Sequence, residues 1–268
     1  MRLAIQHQTT YRYRSLAHYS IQHLRLTPRD EPNQRVLSWH VNGPGRLERF
    51  VDAYGNVTHT LVLSRPHDVI DIVVSGTVDV SPLQEGRVAA QHGASLSPLV
   101  FSVPTALTTP EDTVRDFVER HLTAIDRPSA FLGLAEAISD AVEYETGATE
   151  VSSPAAQALA LGRGVCQDHA HLFIACCRAM AVPARYVSGY VHPGEDPDPE
   201  AASHAWADVW VADEGWISID ISHPAYAGEQ HCRLAIGRDY LSAAPVRGVR
   251  TGGGEEVLEV KVAVRQDQ

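Results

Sequence analysis

The sequence of 268 residues predicts an α+β fold. Short alternating runs, separated by turn residues, fill about the first 80 residues and favour a β-sandwich. Apolar residues then recur at a helical spacing from residue 109 onward, and alternating runs return after a predicted helix over residues 166–181. We therefore predict a β-rich, sandwich-like domain over residues 1–105 and a domain of helices packed on an antiparallel sheet over residues 106–268.

The N-terminal strands are predicted from runs that are rich in β-branched and aromatic residues. Residues 36–41 and 57–63 alternate between apolar and polar side chains, and residues 69–80 form a long β-branched run. Residues 18–26 are a further mixed run of strand character. The segment 52–56, with the sequence DAYGN, is a strong turn signal between two of the strands.

Three helices are predicted after the β-rich region. The first covers residues 109–121 and starts with Thr109 as its N-cap and Pro110 in its first turn. The second covers residues 131–145, where apolar residues recur at a spacing of four, and a short third helix covers residues 154–161.

A glycine pair interrupts the helical pattern before the fourth helix. Gly162 and Gly164 precede the helix over residues 166–181, which carries an apolar stripe and is ended by Pro183. Strands are then predicted over residues 185–191, 204–211, 216–221 and 256–264.

The composition excludes several classes of function. Lysine and arginine total 22 against 33 acidic residues, so the formal net charge is −11, and no basic stripe of a nucleic-acid binder is present. No apolar run approaches the roughly 18 residues of a membrane helix. No nucleotide, haem or other cofactor motif is visible. We therefore expect no nucleic acid, membrane or cofactor as a partner.

The cysteines and the N-terminus favour a cytoplasmic protein. Four cysteines, at positions 166, 176, 177 and 232, have no spacing typical of a disulfide framework, which suits a reducing compartment. Residues 1–7 turn polar too soon for the apolar region of a signal peptide.

Cys166 is the candidate nucleophile. It follows a Gly-x-Gly turn and opens a helix, and a helix N-terminus stabilises the negative charge of a thiolate. Free N–H groups at that helix end could also bind an oxyanion during acyl transfer. The alternative is a buried structural cysteine, the commoner role of cysteine, which we expect for Cys176 and Cys177.

His204 and Asp220 are the candidate base and the residue that orients it. Each lies on an alternating strand, and the intervening turn 212–215 predicts an antiparallel hairpin. Cysteine catalysis needs a histidine within reach of sulfur and a third group that fixes its ring. A tight hairpin leaves the two residues about four positions out of register, so we expect a bulge, a longer loop or strong twist.

Several segments resemble the transglutaminase-like superfamily in the order in which they occur. Residues 164–171 (GVCQDHAH) and 182–190 (VPARYVSGY) resemble its core, residues 203–209 (SHAWADV) its histidine strand, and residues 215–220 (GWISID) its aspartate strand. Outside the core, residues 7–11, 24–28 and 52–56 resemble the β-rich N-terminal region of bacterial transglutaminase-like proteins. Residues 237–240 and 245–249 resemble their C-terminal signature.

The resemblance implies a papain-like α+β core with a Cys-His-Asp triad. By position, the triad is Cys166, His204 and Asp220. The sequence departs from the family at Ile221, where a proline usually follows the aspartate. We therefore expect the loop that leaves this strand to differ from that of the family.

The expected function is hydrolysis of an amide or peptide bond in a peptide or protein substrate, through a cysteinyl thioester, as in a cysteine protease. A transglutaminase uses the same triad with an amine as acyl acceptor, so the triad cannot separate the two. A zinc site formed by Cys166, Asp168, His169 and His171 is an alternative. A binding module without enzymatic activity is another.

Overall fold

Two large sheets dominate the structure, a computed structural model that describes residues 1–89, 96–194 and 202–267. The strands are β1 (Arg2–Thr27), β2 (Gln34–Asn42), β3 (Arg46–Val51), β4 (Val57–Leu63), β5 (His67–Val80), β6 (Arg87–Val88), β7 (Glu143–Tyr144), β8 (Arg163–Gly164), β9 (Ala184–Val191), β10 (Ser203–Val211), β11 (Gly215–Asp220), β12 (Ala225–Tyr226), β13 (His231–Gly237), β14 (Val246–Gly252) and β15 (Glu256–Gln266). The helices are α1 (Asp112–His121), α2 (Pro128–Ala141), α3 (Ala155–Leu161), α4 (Cys166–Ala179) and α5 (Tyr240–Ala243), with 3₁₀ turns at Gln84–Gly86 and Pro98–Ser102.

The strands of the N-terminal region are joined by hydrogen bonds into one continuous sheet. Its order is β2-β5-β1-β4-β3, and β14 and β15 also pair with β1. The first half of β1 pairs with β5 and β15, and its second half pairs with β4 and β14. This single strand of 26 residues thus runs through both halves of the sheet. Its register shifts between Arg12 and Tyr19, where it changes neighbours.

The C-terminal strands complete the N-terminal sheet. The predicted strand over residues 256–264 is found as β15, and it pairs antiparallel with β1 from Leu3 to Tyr13. β14 pairs with β1 further along, from Ala17 to Leu24. The chain therefore returns to its first strand after it has built the second sheet, and the two ends of the sequence share one sheet.

Helices cover one face of the second sheet. This sheet has the order β12-β11-β10-β9-β13, with β6 beside β11. Alternate residues of β10 and β11, including Ala207, Val209 and Ile219, are buried in the same apolar cluster as α4. Nearly all of α4 is buried, because α1, α2 and α3 contact it as well. A helix that is enclosed on all sides needs apolar residues around its whole circumference.

Two helices have boundaries that differ from the predicted ones. α1 begins at Asp112 instead of Thr109, because Thr109 Oγ1 donates to Thr105 O at 2.9 Å and Glu111 is the N-cap residue. α2 begins earlier, with Pro128 in its first turn, and ends before β7, which pairs with β8. Within the described ranges, no helix has the length and apolarity required to cross a membrane.

Two side-chain amides attach the N-terminal sheet to β13. Gln34 Oε1 accepts from the N–H of Arg233 at 2.8 Å, and its Nε2 donates to Arg233 O at 2.9 Å. Asn56 Oδ1 accepts from the N–H of Ile236 at 2.8 Å, and its Nδ2 donates to Ile236 O, also at 2.8 Å. Each amide thus pairs with the strand as a neighbouring backbone would, and this holds the two sheets in a fixed relation.

A buried cluster of charges joins the same two sheets. Asp208 on β10 accepts from Arg185 Nε at 2.7 Å and from Arg233 Nη1 and Nη2 at 2.6 and 2.9 Å. Arg233 Nε also lies 3.4 Å from Glu31 Oε2, in the segment before β2. Burial would raise the pKa of Asp208, but Arg233 and Arg185 lower it to about 2. The cluster is buried and paired, as buried charges must be.

Replacing Asp208 by asparagine should destabilise the fold strongly. Asp208→Asn removes the negative charge and leaves Arg185 and Arg233 buried without it, which costs about 3–5 kcal/mol in comparable cases. The free energy of unfolding in urea measures the effect. Glu259→Gln is the matched control, since Glu259 pairs with Lys261 at the exposed surface, and its unfolding curve should not move. An equal stability of wild type and Asp208→Asn would contradict this assignment.

Candidate active site

Cys166 is the first residue of α4 and the most accessible of the four cysteines. α3 ends at Gly162, which has a left-handed backbone with φ of 69°, and β8 then leads directly into α4. Gly164 must lack a side chain, since a Cβ there would lie 2.8 Å from the Cβ of Asp168. Cys166 is partly buried, whereas Cys176, Cys177 and Cys232 are fully buried. The chain therefore presents one thiol at a helix N-terminus.

Asp168 and His169 fix the start of α4. Asp168 Oδ2 accepts from the N–H of Val165 at 2.8 Å and from Thr149 Oγ1 at 2.6 Å. The ring nitrogens of His169 lie 2.9 Å from the carbonyl oxygens of Val165 and Val142. Both side chains are thus engaged with the helix start and its neighbouring loops, which holds the backbone of Cys166 in place.

The alternative zinc site at the start of α4 is wrong. The His169 ring is engaged with two backbone carbonyls. His171 Nε2 accepts from the N–H of Tyr240 at 3.0 Å, and burial lowers the pKa of His171 to about 4. Its ring is therefore turned into the core, away from Cys166. Among the described residues, the group of potential metal-ligating side chains that lie together is His204, Asp220 and His231 instead.

His204 and Asp220 are diagonal neighbours on one face of the hairpin of β10 and β11. These strands pair over five successive residue pairs without a shift, and the same register continued by one residue puts Asp220 opposite Trp206. The expectation that His204 and Asp220 are about four residues out of register is therefore wrong, and no bulge is needed between β10 and β11 to bring them together. Side chains at diagonal positions on one face can reach each other. His204 Nε2 lies 2.7 Å from Asp220 Oδ2, and both side chains are buried.

The three predicted site residues are brought together. Cys166 at the start of α4 is one of the groups that raise the pKa of His204, and Asp220 holds the His204 ring at Nε2. Cys166 and His204 are 38 residues apart in sequence, and Asp220 follows 16 residues after His204. The fold, and not proximity in sequence, assembles the group.

The His204–Asp220 pair carries opposite charges. Burial by itself would lower the pKa of His204, but the hydrogen bonds and charges of Asp220 and Cys166 raise it to about 10. Burial would raise the pKa of Asp220, but hydrogen bonds from the rings of His204 and His231 hold it well below its usual range. At neutral pH the site therefore contains an imidazolium and a carboxylate.

Sequence reasoning missed the other residues that surround Asp220. His231 Nε2 lies 3.2 Å from Asp220 Oδ2, and His223 Nδ1 lies 3.7 Å from the same oxygen. The second oxygen, Oδ1, accepts from Ser222 Oγ at 3.1 Å and from the N–H of His223 at 3.2 Å. Fourteen histidines occur in the chain, and nothing in their local sequence separates these two from the rest. The alternation of residues 231–237 could have shown the strand, but not its partner.

Ile221 occupies the position after Asp220 at which the family usually has proline. Its side chain is buried in the apolar cluster that contains α4, and it follows Asp220 directly. The turn that comes next supplies the Ser222 and His223 donors to Asp220. The substituted position therefore packs into the core while its neighbours hold the carboxylate.

Two parts of the chain match known families. Residues 113–221 match the transglutaminase-like superfamily, and residues 3–79 match the bacterial transglutaminase-like N-terminal region. The chain belongs to the transglutaminase-like superfamily. The predicted resemblance is thereby confirmed, for the N-terminal region as well as for the core.

Relatives match the chain over nearly its whole length, and a solved structure shares its fold. The chain is 32% identical to uncharacterized protein ML0607 of Mycobacterium leprae over 275 residues, with 98% of each chain covered. It is 30% identical to uncharacterized protein Rv2569c of Mycobacterium tuberculosis, covering 98% of this chain and 92% of the relative. A candidate cysteine protease from Cytophaga hutchinsonii has the same fold, with a TM-score of 0.78 and 22% identity. That match covers 100% of this chain and 92% of the other.

A more distant match carries an enzyme name. The chain is 30% identical over 112 residues to a protein-glutamine gamma-glutamyltransferase of Pseudomonas aeruginosa. The match covers 37% of this chain and 16% of that protein. It is thus a local similarity within a much longer protein.

Because the pKa of His204 is raised in the folded protein, we predict that its contribution to the free energy of unfolding depends on pH. The folded protein holds the His204 proton up to a pKa of about 10, whereas the unfolded chain releases it near 6.5. The contribution of this group to stability is therefore complete below pH 6.5 and is lost as the pH rises through about 10. Urea unfolding of wild type and His204→Gln should differ most at pH 6 and should converge toward pH 10. His18→Gln, at an exposed position, is the control; a constant difference for His204→Gln would contradict the assignment.

Proposed function

We propose that this protein is a thiol-dependent acyl-transfer enzyme that cleaves amide or peptide bonds in a peptide or protein. The observation that carries the proposal is the buried hydrogen-bonded pair of His204 and Asp220, together with Cys166 at the N-terminus of α4 as a group that raises the pKa of His204. Cys166 is the nucleophile, His204 the acid and base, and Asp220 the group that orients the ring. The same arrangement of roles recurs in unrelated cysteine and serine enzymes.

The first half of the proposed reaction forms a thioester. The Cys166 thiolate attacks the carbonyl carbon, a C–S bond forms, and the carbonyl oxygen takes the negative charge. The N–H groups at the first positions of α4 have no intrahelical acceptor and are available to this oxyanion. The C–N bond then breaks as His204 donates its proton to the leaving amine, which departs neutral.

The second half of the reaction releases the acyl group. Water attacks the thioester carbon and gives its proton to His204, the C–S bond breaks, and the Cys166 thiolate returns. Water is available at the site because the His223 side chain is 75% exposed and its ring centroid lies 5.8 Å from that of His204. A cavity of about 530 Å³ is lined by Asp220, His223 and His231. Another, of about 580 Å³, is lined by Arg185, Trp210 and Trp216 and does not include the triad residues.

A transglutaminase is the second candidate function. In that case a primary amine replaces water in the second half of the reaction, and the C–S bond is exchanged for a new amide bond. The local similarity to the protein-glutamine gamma-glutamyltransferase of Pseudomonas aeruginosa supports this candidate. Either reaction needs a free thiol, so we propose a reducing location such as the cytoplasm; the four cysteines are free.

Limiting iodoacetamide at about pH 6 should label Cys166 selectively. Cys166 is the partly accessible thiol, whereas Cys176, Cys177 and Cys232 are buried and burial raises the pKa of each. These three cysteines are internal controls, and peptide mass spectrometry after timed quenching gives the four rates. Labelling of a buried cysteine at the same rate as Cys166, or no labelling of Cys166, would contradict its assignment as the nucleophile.

Cys166→Ala should abolish acyl transfer and Asp220→Ala should reduce its rate by about 10²-fold or more, with the fold retained. A glutamine-containing protein is incubated with the enzyme and an excess of primary amine, and the products are identified by mass spectrometry. Cleaved or deamidated product from the wild type supports hydrolysis, and amine attached to glutamine supports the transglutaminase. Turnover that persists in Cys166→Ala would exclude Cys166 as the nucleophile. An unchanged rate in Asp220→Ala would mean that another residue orients His204.

A further inference from the structure

We infer that His231 is a positioning residue, which holds the carboxylate of Asp220 in line with His204 by a second imidazole hydrogen bond to the same oxygen. The inference rests on the proposed function, since it gives His231 a role in holding the triad. Asp220 Oδ2 lies 2.7 Å from His204 Nε2 and 3.2 Å from His231 Nε2. A single carboxylate oxygen therefore lies between two imidazole rings on two different strands, β10 and β13.

The tautomer of His231 is fixed by a backbone group. The N–H of Gly228 points at His231 Nδ1 at 3.2 Å. A backbone N–H can only donate, so Nδ1 must be the unprotonated acceptor, and the ring proton must reside on Nε2. His231 is then a neutral donor to Asp220. A second bond, from the N–H of His231 to the carbonyl of Gly228 at 3.0 Å, fixes the backbone of the same residue.

The same tautomer argues against a resident metal ion at this group. His204, Asp220 and His231 offer ligand atoms that all lie within 4.8 Å of one another. A histidine binds a metal through an unprotonated nitrogen, however, and the nitrogen of His231 that faces Asp220 carries the proton. The contact is therefore a hydrogen bond that orients the carboxylate.

Trp206 fixes the His231 and His204 rings relative to each other. Its indole stacks beside His204 at a centroid distance of 6.1 Å, and its ring meets the His231 ring edge-on at 5.2 Å. Trp206 is buried, and its Nε1 donates to Ser218 Oγ at 3.0 Å, so the indole itself is held. The His231 side chain is only 11% exposed. Its ring thus has little freedom to leave Asp220.

The orientation of the Asp220 carboxylate depends on His231, because its two oxygens accept hydrogen bonds from different parts of the structure. Oδ1 is held by Ser222 and the N–H of His223, both in the turn that follows β11. Oδ2 is held by the two imidazoles of His204 and His231. Without His231, the carboxylate can rotate about its bond to Cβ and toward the turn, and the His204 bond then lengthens. A weaker bond to the carboxylate stabilises the His204 imidazolium less, so the pKa of His204 falls.

The test follows the His204 ring directly by NMR of protein with ¹⁵N-labelled histidine. The titratable groups that face this ring are Cys166 from α4, Asp220 from β11, His223 from the following turn and His231 from β13. His231→Phe keeps an aromatic ring but removes the donor, and we expect the pKa of His204 to fall by about 1. His231→Gln keeps an N–H donor at the place of Nε2, and it should restore most of the wild-type value.

His223→Phe is the matched control, because it removes an imidazole near the same oxygen from a side chain that is 75% exposed. We expect it to leave the pKa of His204 within about 0.3 of the wild-type value. The thermal midpoints of all variants report whether the fold is kept. In wild-type protein, the nitrogen shifts of His231 should show the tautomer protonated at Nε2.

The outcomes separate this inference from the proposed function. A His204 pKa that is unchanged or raised in His231→Phe would overturn the inference, and so would a His231 ring protonated at Nδ1 alone. A fall that His231→Gln does not reverse, or that His223→Phe matches, would also overturn it. The proposed function fails separately, if acyl transfer persists in Cys166→Ala. The NMR result needs neither a substrate nor a reactive Cys166.

Discussion

The buried carboxylate of Asp208 is the centre of a charge cluster that fixes the strands of the second sheet and joins them to the N-terminal region. It lies on β10 and binds Arg185 from the adjacent strand β9 and Arg233 from β13, the strand on the far side of β9. Arg233 also reaches Glu31 from the segment before β2, so the cluster joins the second sheet to the N-terminal region. Charges this deep in a protein are tolerated only when each is paired, so the strands are stable only in the register that pairs them.

The hairpin of β10 and β11 carries a second buried carboxylate, Asp220, whose hydrogen-bond partners differ in kind from those of Asp208. Asp208 and Asp220 are both buried on the hairpin of β10 and β11, and each accepts several hydrogen bonds. The partners of Asp208 are guanidinium groups, whose charge is permanent. The partners of Asp220 are the imidazoles of His204 and His231 and two donors of the turn after β11.

The N-terminal sheet supports the site from a distance. Gln34 and Asn56 each make two hydrogen bonds to the backbone of β13, and β13 begins with His231. An apolar cluster that includes Leu3, Ile72 and Leu234 lies across the same contact. Because β14 and β15 return to pair with β1, the two ends of the chain close this arrangement. The position of His231 beside Asp220 therefore depends on residues at both ends of the sequence.

The sequence by itself determined the order of the elements, the family and the three candidate site residues. Cys166 after its Gly-x-Gly turn, and His204 and Asp220 on alternating strands, are local patterns that depend on neighbouring residues only. The continuous N-terminal sheet, the register that makes His204 and Asp220 diagonal neighbours, and the His231 contact were decided by the tertiary structure. These features depend on which strands pair. Pairing is set by the burial of distant side chains against one another, and no local pattern of residues records it.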